Sequence, residues 1–203
     1  MPKNRRVFVD VDTQADFLLP GGKLYVPEAE KLLPALQRLR DFAAQQGIPV
    51  LSTTDAHSPD DAEFRDWPAH CVRQTPGQLK ALETLLGNYL VVPRERSAPV
   101  SDEELARYAQ VIVEKNQLDM FTSPHAEALV ERLDAAWYIV YGVATEYCVR
   151  LAALGLRQRG RRVLLLTDAI QGIDAEGVAR TLQELQAAGV RLSTSPEIFA
   201  AAA

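Results

Sequence analysis

Residues Trp137-Tyr138-Ile139-Val140-Tyr141-Gly142-Val143-Ala144-Thr145-Glu146-Tyr147-Cys148-Val149-Arg150 fall into two halves of different character. The first, Trp137 to Tyr141, is β-branched and aromatic and reads as a buried strand, with Gly142 breaking the run. From Thr145 onward, Glu146, Tyr147, Cys148, Val149, Leu151, Ala152 and Leu156 follow a helical pattern. Cys148 therefore sits in the first turn of a helix that directly follows a strand. Unpaired N–H groups and the positive end of the helix dipole favour a thiolate there. The alternative is a small buried hydrophobe, the commoner fate of a free cysteine.

Working outward, the same alternation repeats along the chain. Strands are expected at Arg6 to Asp12, Val50 to Thr54, Val111 to Glu114, Arg162 to Thr167 and Val190 to Ser193, with a minor one at Tyr89 to Val92. Helices are expected at Leu33 to Gln46, Asp102 to Tyr108, Pro124 to Leu133 and Glu176 to Ala188, and a short one from Gln78 to Leu86. Gly47 and Gly189 stop two of these helices and Ser101 caps another. Strands alternating with helices at this spacing mean βαβ units. The expected fold is α/β: one Rossmann-like three-layer αβα sandwich over residues 1–203, with a six-stranded, mostly parallel sheet. No repeat and no linker divides the chain.

The 203 residues suffice for one full core, and 47% hydrophobic with 24% charged residues is ordinary for a globular protein. A net charge of −5 without a basic run argues against a nucleic-acid partner. Two cysteines, Cys71 and Cys148, are too few for a disulfide framework. The start, Met-Pro-Lys-Asn-Arg-Arg, does not read as a signal peptide, and no segment is long enough to span a membrane. A cytoplasmic enzyme or binding domain follows, with a homo-oligomer left open.

Ligands of parallel sheets bind outside the carboxyl ends of the strands. At those ends stand Asp12, Asp55, Lys115 and Cys148. A thiol, a carboxylate and an ammonium make a nucleophilic set. Asp12 would accept the thiol proton and return it to a leaving amine, while Lys115 would hold Asp12 ionised and lower the thiol pKa. The N–H groups of Ala144 and Cys148 would form an oxyanion hole. A structural Asp–Lys pair beside an inert thiol is the competing account.

A second cluster follows the second strand: Asp55, His57, Glu63, His70 and Cys71. Asp55 and His57 are two apart in an extended segment, so they point the same way. An acid-and-histidine set suits one divalent ion, zinc, iron(II) or manganese. A polar surface loop is the bland alternative, and Asp60, Asp61 and Asp66 compete with Glu63 for a place in such a set. Cys71 is expected to pack under the loop, and His125, at a helix start, to be structural. Phe17 and Trp67, in the flanking loops, either sandwich a flat ring or are core aromatics. Tyr147 is expected in the core.

These residues give the chain a resemblance to the isochorismatase-like cysteine hydrolase superfamily, and within it to the nicotinamidase/pyrazinamidase group. Val11-Asp12-Thr13-Gln14-Ala15-Asp16-Phe17 is similar to the family's Val-Asp-x-Gln-x-Asp-Phe. Asp55-x-His57 with Trp67-Pro68-Ala69-His70-Cys71 is similar to its metal loop, and Glu114-Lys115 ends the third main strand as in the family. Gly142 to Val149 is close to Gly-Val-Ala-Thr-Asp-Tyr-Cys-Val. The resemblance implies a catalytic triad of Asp12, Lys115 and Cys148, and metal ligands Asp55, His57 and His70 with Glu63 in a fourth slot. It further implies a cis peptide at Val143–Ala144 and ring-binding roles for Phe17 and Trp67. Two departures, Glu146 for Asp and the Asn116 to Met120 segment, bear on the substrate rather than the triad.

The activity implied is hydrolysis of nicotinamide to nicotinate and ammonia through a Cys148 thioester, with a small amide as the partner molecule. Another small-amide or C–N hydrolase of the superfamily is the nearest alternative. Asp10-Val11-Asp12-Thr13 is also similar to the opening of haloacid-dehalogenase phosphatases, but that motif calls for Thr or Val where this chain has Gln14. A non-catalytic binding module would be expected to lack one of the three triad side chains, and all three are present.

Overall fold

The computed structural model describes residues 6–201. The first five residues, on which the signal-peptide expectation rests, lie outside that range, as do the last two. Seven strands form one sheet: β1 (Arg6–Val11), β2 (Val50–Asp55), β3 (Tyr89–Val92), β4 (Gln110–Lys115), β5 (Trp137–Val143), β6 (Val163–Gln171) and β7 (Arg191–Ser193). Their order is β3-β4-β2-β1-β5-β6-β7, and every pairing is parallel. The helices are α1 (Ala15–Leu18), α2 (Leu33–Gln46), α3 (Asp102–Arg107), α4 (Ala126–Leu133), α5 (Arg150–Gln158), α6 (Ala175–Ala187) and α7 (Ser195–Ala200). None is long and apolar enough to cross a membrane. The sheet exceeds the expected six strands by one, because Tyr89–Val92 pairs with β4 as a full edge strand.

Period-two alternation sorts each central strand between two cores. In β1, Val7, Val9 and Val11 pack with Leu129, Val149, Ala152 and Leu156 from α4, α5 and the turn before it, while Phe8 joins Leu36 and Leu39 of α2 on the other face. In β5, Tyr138 and Val140 face the first core, and Ile139, Tyr141 and Val143 the second. A sheet covered on both faces needs near-continuous apolar strands, as the sequence shows. Local chemistry ends the helices: Gly47 takes φ 61° after α2, and Ser101 with Glu104 forms a capping box at α3.

Gly142 lies inside β5 rather than ending it. Its φ is 120°, and a Cβ there would overlap the Val11 carbonyl, so only glycine lets β5 pass so close to the end of β1. The expected helix from Gln78 to Leu86 does not form. That segment makes two short 3-10 turns, Pro76–Gln78 and Leu82–Thr84. Between them the backbone bonds to the segment after β1: Ala15 N–H donates to Leu79 O at 2.8 Å and Ala81 N–H to Thr13 O at 2.9 Å. Those long-range bonds use groups a helix would need.

The Lys80 ammonium is thereby carried to Asp10, at 2.7 Å, near the carboxyl end of β1. Asp10 also accepts from Thr13 and Ser52. This explains how a fully buried acid is tolerated in a central strand. Lys80→Met should destabilise the protein by about 3–5 kcal/mol by leaving Asp10 uncompensated, and adding Asp10→Asn should restore much of the loss. Urea unfolding of the wild type and the two variants checks this; a single and a double variant of equal stability would disprove the pairing.

Candidate active site

Four adjacent strands, β4, β2, β1 and β5, deliver the candidate residues at their carboxyl ends. Asp55 and Lys115 close β2 and β4 directly opposite each other in the register. Asp12 follows β1 with φ 49°, a left-handed conformation that aspartate adopts more readily than most residues. Cys148 lies in a single π-helical turn, Thr145–Val149, that links β5 to α5. The Val143–Ala144 peptide before it is cis.

Lys115 is the hub. Its Nζ lies 2.8 Å from Asp12 Oδ2, 2.5 Å from Asp55 Oδ1 and 3.6 Å from Cys148 Sγ, and all four residues are buried. Thr53, on β2, donates to Asp12 Oδ1 at 2.7 Å and so fixes the carboxylate plane. Asp12 Oδ2 makes no further hydrogen bond among the described residues. Asp12, Asp55 and Cys148 each bring one heteroatom within 4.8 Å of the others.

Burial would lower the Lys115 pKa, but Asp12, Asp55 and Cys148 outweigh it and hold the ammonium charged. Burial raises Asp12, against the pull of Lys115. Burial also pushes the Cys148 thiol well up; Lys115 opposes this, while Asp12 and Asp55 add to it. The expectation of a thiol lowered by Lys115 and the helix end is thus corrected. Loss of water around the buried sulfur outweighs the pull of the one ammonium, which two carboxylates share. The raised pKa favours the thiol form over the thiolate, and the Asp12 carboxylate lies close by.

On the other side of Asp55, His57 Nε2 and His70 Nε2 lie 3.9 and 3.8 Å from Asp55 Oδ2. Both distances are too long for hydrogen bonds. Ligand atoms around one tetrahedral zinc stand roughly 3.3–3.5 Å apart, so each histidine is within about half an ångström of that spacing from Asp55. His70 Nδ1 must donate to Pro68 O, at 2.7 Å, which leaves its Nε2 lone pair facing Asp55. His57 is fully buried, and neither ring nitrogen has a hydrogen bond among the described residues; Asp61 Oδ2 stands 3.2 Å behind its Nδ1. Unpaired buried imidazole lone pairs beside a carboxylate fit a divalent ion. For Asp55, burial alone would raise the pKa, but Lys115 and the two histidines hold it well below the usual carboxylate range. Glu63 falls outside the Asp55/His57/His70 group.

Beside these clusters is a mostly apolar cavity reached by Cys148, Ala144, Asp55, His70 and Glu63. Phe17 and Trp67 line it, with the Phe17 ring 5.4 Å from that of His70. Tyr147, expected in the core, is half-buried: it packs against the core and also lines the cavity, edge-on to Trp67 at 5.4 Å. Leu24, Val26, Leu118 and Ile173 complete the wall. None of these four had a sequence signal, since they come from three separate loops, Leu24 and Val26 sharing one. Thr53 was also missed, hidden in an ordinary strand pattern.

A family model described as an isochorismatase domain matches residues 6–197. The chain belongs to the isochorismatase family. Among its relatives in this family is the nicotinamidase of Escherichia coli K12, 28% identical over 93% of this chain and 94% of that protein. The nicotinamidase/pyrazinamidase of Mycobacterium tuberculosis is 27% identical over 94% of this chain and 99% of its own. Among solved structures, the pyrazinamidase of Pyrococcus horikoshii in complex with zinc matches with a TM-score of 0.76 at 28% identity, covering 95% of this chain and 99% of that one.

The two cysteines of this isochorismatase-family chain differ in access. Cys71 is fully buried, its thiol pushed up by burial and its Sγ 3.8 Å from Gly77 O, whereas Cys148 lines the cavity. Iodoacetamide on the native protein should therefore modify Cys148 ahead of Cys71, as read by peptide mass spectrometry. Faster labelling of Cys71 would show that the cavity does not open onto Cys148.

Proposed function

We propose that this chain, acting as one hydrolase domain over residues 1–203, converts nicotinamide to nicotinate and ammonia. One contact carries the assignment: Lys115 bridges Asp12 and Asp55 while touching Cys148 at 3.6 Å. The relatives named above, nicotinamidases and pyrazinamidases over nearly their full lengths, support the choice of amide.

Cys148 Sγ attacks the carboxamide carbon as its proton passes to Asp12, the nearby carboxylate that Lys115 and Thr53 hold in place. The carbonyl oxygen takes up the electron pair, and the N–H groups of Ala144 and Cys148 stabilise it. The C–N bond then breaks, the amide nitrogen leaves as ammonia with the proton from Asp12, and a thioester remains. Water, deprotonated by Asp12, attacks the thioester; nicotinate departs and the thiol regains its proton. Lys115 stays charged throughout, keeping Asp12 ionised between transfers. Phe17 and Trp67 hold the ring in the cavity.

Asp55, His57 and His70 would hold one divalent ion, zinc before iron or manganese given two imidazoles and one carboxylate, with Glu63 as the remaining acid in the cavity. When bound, the ion supplies a Lewis-acid contact for a ring nitrogen and so helps orient the ring.

Cys148→Ala should abolish ammonia release from nicotinamide with the fold intact by circular dichroism. Asp12→Asn should lower kcat by roughly 10²–10⁴-fold, as for a lost general base. Full turnover by the Cys148→Ala variant would end the thioester route.

Chelation, His57→Ala or His70→Ala should each sharply reduce nicotinamide turnover, and zinc should restore it only in the chelated wild type. Benzamide, which lacks the ring nitrogen, should be a poor substrate before and after chelation. Equal rates on benzamide and nicotinamide would point to a different amide substrate.

A further inference from the structure

Glu146 joins two elements that the chemistry above leaves separate. It belongs to the π-turn that carries Cys148, and its Oε1 accepts from the N–H groups of Ile173 at 2.8 Å and Asp174 at 3.1 Å. Both donors lie in the loop between β6 and α6. Two glycines make room for this reach. A Cβ at Gly172 would overlap the Glu146 carboxylate and Val178, and one at Gly177 would come within 3.1 Å of Glu146 Oε1. Glu146 Oε2 is buried without a hydrogen bond among the described residues, so the carboxylate serves the loop rather than solvent. Asp174 in turn caps α6 by accepting from Gly177 N–H at 2.7 Å.

Ile173 is what this anchor holds in place. It is 43% exposed, an unusual position for isoleucine, yet it lines the cavity together with Phe17, Trp67 and Cys148. Its apolar surface loses water only when something apolar settles against it, which makes it a surface for a ligand rather than for the core.

We propose that Glu146 is a positioning residue for substrate selection: it ties Ile173 to the Cys148 turn, so that one wall of the cavity sits at a set distance from the nucleophile. The ligand class this wall selects is a small planar ring bearing a carboxamide, pressed against Ile173 on one side. The choice of substrate rests on the amidohydrolase assignment; the wall itself does not. Glu146 never touches the reacting atoms. Its effect passes through the Ile173 and Asp174 N–H groups.

The test is a double-mutant cycle on Glu146→Ala and Ile173→Ala, with kcat and KM for nicotinamide measured separately. Each single change should raise KM by about tenfold or more with kcat changed far less, the pattern of lost contact with the substrate body. The double variant should be no worse than either single, because both remove the same wall. Glu146→Gln keeps an oxygen acceptor of the same reach and should restore KM towards wild type. In parallel, Cys148 alkylation by iodoacetamide and by the bulkier N-phenylmaleimide is compared, a readout that needs no substrate. Glu146→Ala should raise the bulky-to-small rate ratio. Additive KM effects, an unchanged ratio, or equal damage from Glu146→Gln and Glu146→Ala would each overturn the proposal. A wild type inactive on nicotinamide but showing the shifted alkylation ratio on Glu146→Ala would refute the substrate and leave the wall standing.

Discussion

A single buried ammonium is shared between two buried carboxylates, and the centre of this molecule is arranged around that fact. Lys115 contacts Asp12 on one side and Asp55 on the other, and none of the three reaches bulk water. Removing such charges from water costs several kcal/mol per ion, and the cost is offset only when opposite charges meet at close range. Two acids and one base leave a net negative cluster. That excess adds to the effect of burial in raising the Cys148 thiol pKa, and it suits the neighbouring pair of histidines to a cation.

The sheet makes the cluster reachable. Asp55 and Lys115 are register partners on adjacent strands, so their distance is set by the strand spacing and not by loop conformation. Asp12 and Cys148 follow the next two strands, where the chain reverses its direction of travel across the sheet. Parallel sheets place ligand crevices at such a point. The groups that need the tightest placement thus stand on the most rigid elements. The cavity walls come from loops, which tolerate change.

Asp55 links the two halves of the site. One of its oxygens receives the Lys115 ammonium and the other faces His57 and His70. An ion held by that second oxygen would draw charge away from Lys115, leaving more of the ammonium for Asp12 and Cys148. The two histidines and the Asp12–Lys115–Cys148 cluster are therefore electrostatically coupled through one side chain.

Much of the fold is legible in the chain itself. Strand-length apolar runs alternate with helical periodicity, and that alternation admits little besides a parallel sheet with helices on both faces. The positions of Asp12, Asp55, Lys115 and Cys148 at strand ends follow from the same pattern, because an element's end is a local property. What the sequence left undetermined depends on neighbours distant in the chain. The stretch from Gln78 to Leu86 has a helical composition, yet its backbone pairs with Thr13 and Ala15 and cannot also close a helix. Tyr147 reads as core because it is aromatic; it does pack against the core, and only folding shows that it also lines the cavity. The direction of the Cys148 pKa depends first on the burial of the sulfur and then on the charges around Lys115, both of which only folding decides. Residue chemistry and periodicity are local and can be read along the chain. Burial, the sharing of one charge among several partners, and the lining of a cavity by separate loops are set by the tertiary structure, because they depend on which distant residues meet.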